Sequence, residues 1–190
     1  TTRGSLTITI TIIGIVESSK ALTRSGARLG DGVYVSGTIG DSGFCFWKLS
    51  NGLIPSNQEL KKLNRPTPRI ELGLELKNLA SACIDISDGL EQDLSHILKA
   101  SSAGAVIEVE KIPISEALLG HIKDSNEWSM PLCGGDDYEL CFTIPGGNGE
   151  GLKKASQSCN VNITRIGVVT ESLGLQIEGF DGPRKSYQHF

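Results

Sequence analysis

Two acidic stretches of the chain carry the residue types from which a metal and phosphate site could be built. The first is Asp85-Ile86-Ser87-Asp88-Gly89, which lies between a short apolar run and an amphipathic stretch. Alternate residues of a strand share a face, so Asp85 and Ser87 should point the same way. The N–H groups at the start of the following helix attract anions. This combination predicts a site where a carboxylate and a hydroxyl meet one ligand.

The second acidic stretch has a glycine pair followed by acidic residues, in the run Gly134-Gly135-Asp136-Asp137-Tyr138-Glu139-Leu140. Repulsion raises the pKa of neighbouring carboxylates unless a cation compensates it, so this run predicts a magnesium or substrate-amine site. We call residues 87–89 the Ser87 turn and residues 134–138 the Asp136 turn. We expect both turns to converge on one polyphosphate and its acceptor.

Both turns also have a purely structural interpretation. Asp88 with Glu91 three residues later resembles a helix capping box, which would explain Asp88 but not Asp85. Asp-rich turns that enter strands are common and mostly solvated. Arg24 and Arg28, in a loop that contains glycine and serine, could clamp phosphate oxygens or be ordinary surface charges.

The hydrophobic pattern predicts a mixed α/β layer domain around these turns. Alternating β-branched residues predict a strand at Leu6–Ile12 in an antiparallel or edge setting. We expect further strands at 33–36, 82–86, 105–109, 138–144, 163–169 and 175–178. We expect helices at 57–63, 70–80, 90–101, 115–122 and 152–158. In the strand at 138–144, the predicted apolar face consists of Tyr138, Leu140, Phe142 and Ile144.

Composition excludes several classes of protein. The 190 residues fit one domain, or one domain with a piece of another. Lys and Arg number 18 against 22 Asp and Glu, without a basic run, which argues against a nucleic-acid partner. The longest apolar stretch is interrupted by threonines and is too short for a membrane span. Five cysteines without a Cys-x-x-Cys pair favour reduced thiols in a cytoplasmic protein.

Together, five segments resemble the thiamine-monophosphate kinases, a family in the superfamily of aminoimidazole ribonucleotide synthetase. The resemblance runs along essentially the whole chain in the right order. Its segments are Thr1-Thr2-Arg3-Gly4, Thr23-Arg24-Ser25-Gly26-Ala27, Arg65-Pro66-x-Pro68-Arg69, Ile84–Leu90 and Gly134–Leu140. The resemblance implies the C-terminal domain of this superfamily, a mixed α+β fold.

The resemblance also implies an activity, the Mg²⁺-dependent transfer of the γ-phosphoryl group of ATP to thiamine monophosphate, giving thiamine diphosphate. The roles that it implies are ATP contacts at Arg24 and Ser87, Mg²⁺ ligands at Asp85 and Asp88, and thiamine-substrate contacts at Asp136 and Tyr187. No residue is implied as a nucleophile, because phosphoryl transfer depends on positioning and on neutralisation of oxygens.

The family has an N-terminal domain with further metal-binding aspartates, including a Gly-Gly-Asp directly before the pair that Thr1-Thr2 matches. We therefore expect residues 1–27 to be a remnant of the N-terminal ATP-binding domain, and residues 28–190 to be the C-terminal domain. We expect little or no kinase activity from these 190 residues alone. The full-length protein should be a homodimer, and the strand at Leu6–Ile12 should leave an edge prone to association.

Two other functions stay open at this stage. One is another ATP-dependent enzyme of the same superfamily with a different phosphate acceptor. The other is a non-catalytic nucleotide-binding or metal-binding module, because a fold alone does not fix a function. The joint presence of metal-ligand and acceptor residues favours an enzyme. The positive charge of the thiazolium ring favours acidic and aromatic contacts such as Asp136 and Tyr187.

Overall fold

The computed structural model describes residues 4, 8–17, 20–125 and 127–182 of the chain. Six strands form one sheet in the order β2-β4-β1-β5-β3-β6. The strands are β1 Gly32–Ser36, β2 Ala82–Ile86, β3 Gly104–Glu108, β4 Glu139–Ile144, β5 Ile163–Thr170 and β6 Gly174–Glu178. Neighbouring strands run antiparallel, except that β3 and β6 run parallel. The predicted mixed α+β fold is confirmed.

Helices cover both faces of this sheet. They are α1 Asp41–Ser50, α2 Asn57–Asn64, α3 Ile70–Leu76, α4 Leu90–Ser101, α5 Glu116–Ser125, α6 Ser129–Cys133 and α7 Gly149–Cys159, with a 3₁₀ turn at Val109–Lys111. None of the helices in the described ranges is long and apolar enough to cross a membrane.

Alternation along β2 divides its side chains between two hydrophobic cores. Ile84 and Ile86 belong to the core that includes the apolar stripe of α4. Cys83 belongs to the core that includes α3 and α7. Asp85 lies on the same face as Cys83 but near the end of the strand, where it is exposed. The strand therefore presents one carboxylate to solvent while its apolar residues hold it between two layers.

The amphipathic helix predicted at 90–101 is confirmed as α4. Its apolar stripe is fully or almost fully buried and consists of Leu90, Leu94, Ile97 and Leu98. The helix starts directly after Gly89, whose φ of 112° is rarely accessible to residues with a side chain. A Cβ atom at Gly89 would also lie 2.9 Å from the carbonyl carbon of Cys133. The tight start of α4 thus depends on glycine.

The helix α1 is one of two described helices that the sequence analysis missed, the other being α6. Its N-cap residue is Gly40, which has no side chain to satisfy the first N–H groups. The carboxylate of Asp137 accepts hydrogen bonds from Gly40 N at 2.7 Å and from Ser42 N at 3.5 Å. The cap of α1 is therefore supplied from the Asp136 turn, 97 residues away from Gly40 in the sequence.

The strand predicted at Leu6–Ile12 is wrong over residues 8–12, while Leu6 and Thr7 lie outside the described residues. The backbone of residues 8–12 is irregular, and Ile10 is 81% exposed. A strand needs a neighbour to pair its N–H and C=O groups, and none of the six strands of the sheet runs beside this segment. The alternation of residue types alone therefore does not make a strand here.

The other predicted strands and helices are present with shifted bounds. The helix predicted at 70–80 ends at Leu76, and β4 begins at Glu139 rather than at Tyr138. The domain boundary expected between residues 27 and 28 lies in the irregular backbone before β1. The assignment of residues 1–27 to another domain stays a prediction.

We expect Asp137→Ala to lower the free energy of unfolding by about 1 kcal/mol, because it removes the cap of α1. Urea unfolding would measure this loss. The matched control is Asp136→Asn, since Asp136 is exposed, does not cap a helix and has a φ of 65°, which asparagine tolerates better than alanine does. An equal loss in both variants would contradict the capping role.

The same carboxyl group predicts a pH dependence of stability. Burial raises the pKa of Asp137 to about 8, against the hydrogen bonds from Gly40 and Ser42, which lower it. Between its ordinary pKa and this value, the folded protein binds the proton more than the unfolded chain does. Stability from this group should thus fall as the pH rises from 5 to 8. Unfolding of Asp137→Asn over the same range should show a weaker decrease, and an identical pH profile would contradict the prediction.

Candidate active site

The two acidic turns lie side by side at one end of the sheet. The N–H of Asp136 donates to the carbonyl of Ser87 at 2.9 Å, and the N–H of Tyr138 donates to the carbonyl of Ile86 at 2.8 Å. These bonds continue the pairing of β2 with β4, in which Asp85 faces Leu140. The two turns are therefore adjacent, as predicted, while their convergence on one polyphosphate and its acceptor stays a prediction.

Gly135 allows the close approach of the two turns. A Cβ atom at this position would lie 2.4 Å from the carbonyl oxygen of Ser87. Real Cβ atoms do not approach backbone oxygen this closely, so any residue with a side chain would force the turns apart. Steric crowding therefore explains why glycine precedes Asp136.

Asp93 fixes the Ser87 turn by accepting hydrogen bonds from its backbone. It is 3% exposed, and a single carboxylate oxygen accepts hydrogen bonds from Ser87 N at 2.9 Å and from Asp88 N at 3.0 Å. Burial raises the pKa of Asp93, as do the nearby charges of Asp88 and Asp85, while the two N–H groups lower it. Because α4 starts after Gly89, Asp88 is not the N-cap residue of the helix, and the capping-box interpretation is wrong.

The sequence analysis missed Asp93, although a signal was available. Asp93 lies three residues after Leu90 and four before Ile97, so it falls on the buried stripe of α4. An acid on a buried stripe must be paired, because an unpaired buried charge is costly. Its partners had to be backbone N–H groups at the start of the helix.

The carboxylates of the second acidic stretch do not form one cluster. Asp136 is exposed, Asp137 points inwards to cap α1, and Glu139 is 4% exposed. Glu139 accepts two hydrogen bonds from the Arg69 guanidinium, of 2.7 and 2.5 Å, and one of 2.5 Å from Ser36 Oγ. Hydrogen bonding to Glu139 raises the pKa of Arg69. Asp137 and Glu139 therefore anchor the turn, and Asp136 is the one exposed carboxylate of this described stretch.

Four of the predicted site residues lie in or directly beside the two turns and are exposed or half-buried. Asp85 is exposed, and only its backbone takes part in the pairing of β2 with β4. Asp88 and Ser87 are half-buried, and the Asp88 carboxylate accepts a hydrogen bond from Gln92 Nε2 at 3.3 Å. Asp136 accepts from the Tyr138 hydroxyl at 3.1 Å. The structure thus brings these four residues to adjoining positions.

The pKa of Tyr138 is affected by the negative charge of the neighbouring carboxylates. The hydrogen bond to Asp136 raises the pKa of its phenol, and burial and the charges of Asp136, Asp85 and Asp88 raise it further. Three carboxylates therefore act on one hydroxyl group. The sequence analysis was wrong to put Tyr138 on the apolar face of β4, because it precedes the strand and is 40% exposed.

The other two predicted site residues are Arg24 and Tyr187. Arg24 is exposed and lies beside the first half of β2, where the neighbouring Thr23 carbonyl accepts a hydrogen bond from Cys83 N at 2.9 Å. Its contact with ATP stays a prediction. Tyr187 lies outside the described residues.

The exposed carboxylates at the two turns suit Mg²⁺ better than a metal ion that protein side chains enclose. No group of three or more His, Cys, Asp or Glu side chains that could enclose a metal ion occurs in the described part of the chain. Mg²⁺ keeps several waters and takes one or two carboxylates together with phosphate oxygens. The exposed Asp85 and the neighbouring Asp88 fit that mode of binding, in which the ligand completes the coordination.

We expect Asp93→Leu to lower the free energy of unfolding by about 1–3 kcal/mol, because it leaves two buried N–H groups without an acceptor. Asp93→Asn should lose less, since its amide oxygen can accept both bonds. Urea unfolding measures both changes, with His96→Leu as the control at an exposed position of the same helix. Equal losses in the Asn and Leu variants would contradict the role of Asp93 as a hydrogen-bond acceptor.

Sequence comparisons relate this chain to curated enzymes. It is 42% identical to the thiamine-monophosphate kinase of Salmonella typhimurium and 43% identical to that of Escherichia coli K12, each over 204 aligned residues that cover 100% of this chain. The chain spans 62% of the length of both relatives.

Solved structures agree with the sequence comparisons. The thiamine-monophosphate kinase of Stenotrophomonas maltophilia K279a superposes with a TM-score of 0.82 at 36% identity, over 86% of this chain and 55% of that one. AaThiL complexed with AMPPCP and TMP gives a TM-score of 0.73 at 33% identity, over 89% of this chain and 54% of that one. Escherichia coli HypE, at 19% identity and a TM-score of 0.73, shares the fold.

Residues 28–179 match the family described as AIR synthase related protein, C-terminal domain, which covers most of the chain. The curated relatives and the solved structures agree with this match. The chain therefore belongs to the AIR synthase related proteins and carries their C-terminal domain.

Proposed function

We propose that the full-length protein is a thiamine-monophosphate kinase, which transfers the γ-phosphoryl group of ATP to thiamine monophosphate and gives thiamine diphosphate. The observation that carries this proposal is the identity of 42–43% with two such kinases along the entire chain. The pairing of the Ser87 turn with the Asp136 turn supports it, because phosphate and acceptor residues must lie together for a transfer reaction.

The phosphate side of the site is assigned to the Ser87 turn. We propose that Ser87 contacts ATP through its hydroxyl group, which forms no hydrogen bond with the other described side chains. Asp85 and Asp88 would hold Mg²⁺, whose charge would neutralise phosphate oxygens when it is bound. Arg24 would contribute a further contact to ATP, from its exposed position beside β2.

The acceptor side is assigned to the Asp136 turn. Asp136 is exposed beside the Ser87 turn, and its neighbours Asp137 and Glu139 fix the backbone that carries it. A carboxylate at this position would attract the positive charge of a thiazolium ring. Tyr187 is proposed as a second acceptor contact on the resemblance alone. AaThiL binds AMPPCP and TMP in one complex, which supports a site for nucleotide and acceptor together.

We also infer that the full-length protein is a cytoplasmic homodimer. All five cysteines are free thiols, in keeping with a reducing compartment. Five isoleucines between residues 8 and 15 are at least 76% exposed in this chain, and such a segment favours association with another surface. Residues 1–27 are proposed to belong to the N-terminal ATP-binding domain, and residues 28–190 to the C-terminal domain.

The test is a phosphoryl-transfer assay on the full-length protein with ATP, Mg²⁺ and thiamine monophosphate. We expect thiamine diphosphate as the product, and little or none from the 190 residues assayed alone. Formation of no thiamine diphosphate by the full-length protein would refute the proposed function. Turnover with an aminoimidazole precursor instead would favour another enzyme of the superfamily.

Asp85→Asn in the full-length protein should lower kcat by about 100-fold or more, because a metal clamp contributes several kcal/mol to the transition state. The apparent Mg²⁺ requirement should rise at the same time. The matched control is Glu178→Gln, which neutralises an exposed carboxylate on β6 at the opposite edge of the sheet. Unchanged transfer by Asp85→Asn would show that the metal assignment is wrong.

A further inference from the structure

We propose that Tyr138 is an acceptor-binding residue, whose ring packs against the positively charged heterocycle of the substrate beside Asp136. This inference rests on the proposed function and adds a specificity-determining residue to it. It assigns to the Asp136 turn a preference for a phosphorylated cationic heteroaromatic compound over a neutral one.

The first observation is the backbone at this turn. Asp136 has a φ of 65° and Tyr138 a φ of 50°, so two residues with side chains adopt the left-handed conformation. This conformation is unfavourable for a bulky residue such as tyrosine. Glycine would adopt it without strain, and the chain uses glycine at many other positions of positive φ. The presence of tyrosine here therefore calls for a role of its side chain.

The second observation is that the turn does not need the Tyr138 ring for its own stability. Asp137 caps α1, and Glu139 binds Arg69 and Ser36. The backbone N–H of Tyr138 pairs with Ile86, a bond that any residue except proline would make. These contacts fix the turn through buried groups and main chain, while 40% of Tyr138 faces solvent.

The third observation is the charge around the ring. Its hydroxyl group donates to Asp136 at 3.1 Å, and Asp85 and Asp88 lie close enough to act on the phenol electrostatically. The face of an aromatic ring is negative and attracts cations within about 6 Å. Asp85 and Asp88 are assigned to Mg²⁺, so the carboxylate left beside the ring is Asp136, and an aromatic face next to it suits a flat cation better than a neutral ring.

The hydrogen bond to Asp136 gives the ring a defined orientation. A tyrosine held at its hydroxyl group keeps less side-chain freedom than an unattached one, so less entropy is lost when a ligand packs on it. Asp136 and Tyr138 would then act as one unit, in which the carboxylate supplies charge and the ring supplies a flat surface.

Steady-state kinetics of the full-length protein test this proposal. Tyr138→Leu should raise the KM for thiamine monophosphate about tenfold, while the KM for ATP changes by less than about twofold. Tyr138→Phe keeps the ring and should raise the KM for thiamine monophosphate less than the leucine variant does. Phe46→Leu is the matched control, because it removes an exposed aromatic ring that lies on α1 rather than on the Asp136 turn.

A competition assay adds a direct test of charge selectivity. The phosphate ester of a neutral thiazole serves as the probe, and its inhibition constant should change little in Tyr138→Leu while binding of the cationic substrate weakens. Should Tyr138→Leu fold poorly, Tyr138→Gly takes its place with the same pair of ligands, because glycine removes the ring and adopts the positive φ of this position without strain.

Three results would overturn the proposal. They are an unchanged KM for thiamine monophosphate in Tyr138→Leu, equal increases in KM for ATP and for thiamine monophosphate, and equal weakening of the cationic and neutral ligands. A wild-type protein that forms no thiamine diphosphate would instead refute the proposed function itself, so the two failures are distinguishable.

Discussion

The site depends on the direct contact of two backbone segments, the Ser87 turn and the Asp136 turn. A hydrogen bond of 2.9 Å joins Asp136 to Ser87, a second of 2.8 Å joins Tyr138 to Ile86 at the end of β2, and Gly135 removes the Cβ atom that would otherwise collide with the Ser87 carbonyl. Each turn follows or precedes a strand of the same antiparallel pair, so the sheet sets their distance. The position of the side chains at the site follows from this placement, because Ser87 and Asp136, which are 49 positions apart in the sequence, become neighbours.

Buried carboxylates then determine which side chains are left for a ligand. Asp93, Asp137 and Glu139 all accept hydrogen bonds from groups inside the fold. Breaking such a buried pair is costly because the remaining charge or N–H group loses its partner. In the second acidic stretch, residues 134–140, Asp137 and Glu139 are thus anchoring residues. Of the three carboxylates of this stretch, Asp136 alone is exposed.

Much of this arrangement could be predicted from the sequence, because it depends on local patterns. The β2 strand, the α4 stripe and the convergence of two turns at the end of a strand follow from periodicity and from the grouping of acidic residues. The α1 helix could not be predicted in this way, since its cap comes from Asp137, which is distant in the sequence. The exposure of Tyr138 also escaped prediction, because its positive φ takes the ring out of the alternation of β4. The strand prediction was wrong over residues 8–12 for a third reason, because none of the six strands of the sheet lies beside this segment to pair with it.

The negative charge at the joined turns suits a ligand that carries positive charge. The cations that lie close to the anchoring carboxylates are already paired, Arg69 with Glu139 and Lys62 with Asp41. Asp85 and Asp136 take part in no ion pair with a lysine, arginine or histidine of the described residues. All three carboxylates at the turns, including Asp88, act on the Tyr138 phenol, and positive charge from a ligand would offset their repulsion. A metal ion on the Ser87 turn and a cationic ring on the Asp136 turn would supply that charge at the two places where a transfer reaction requires it.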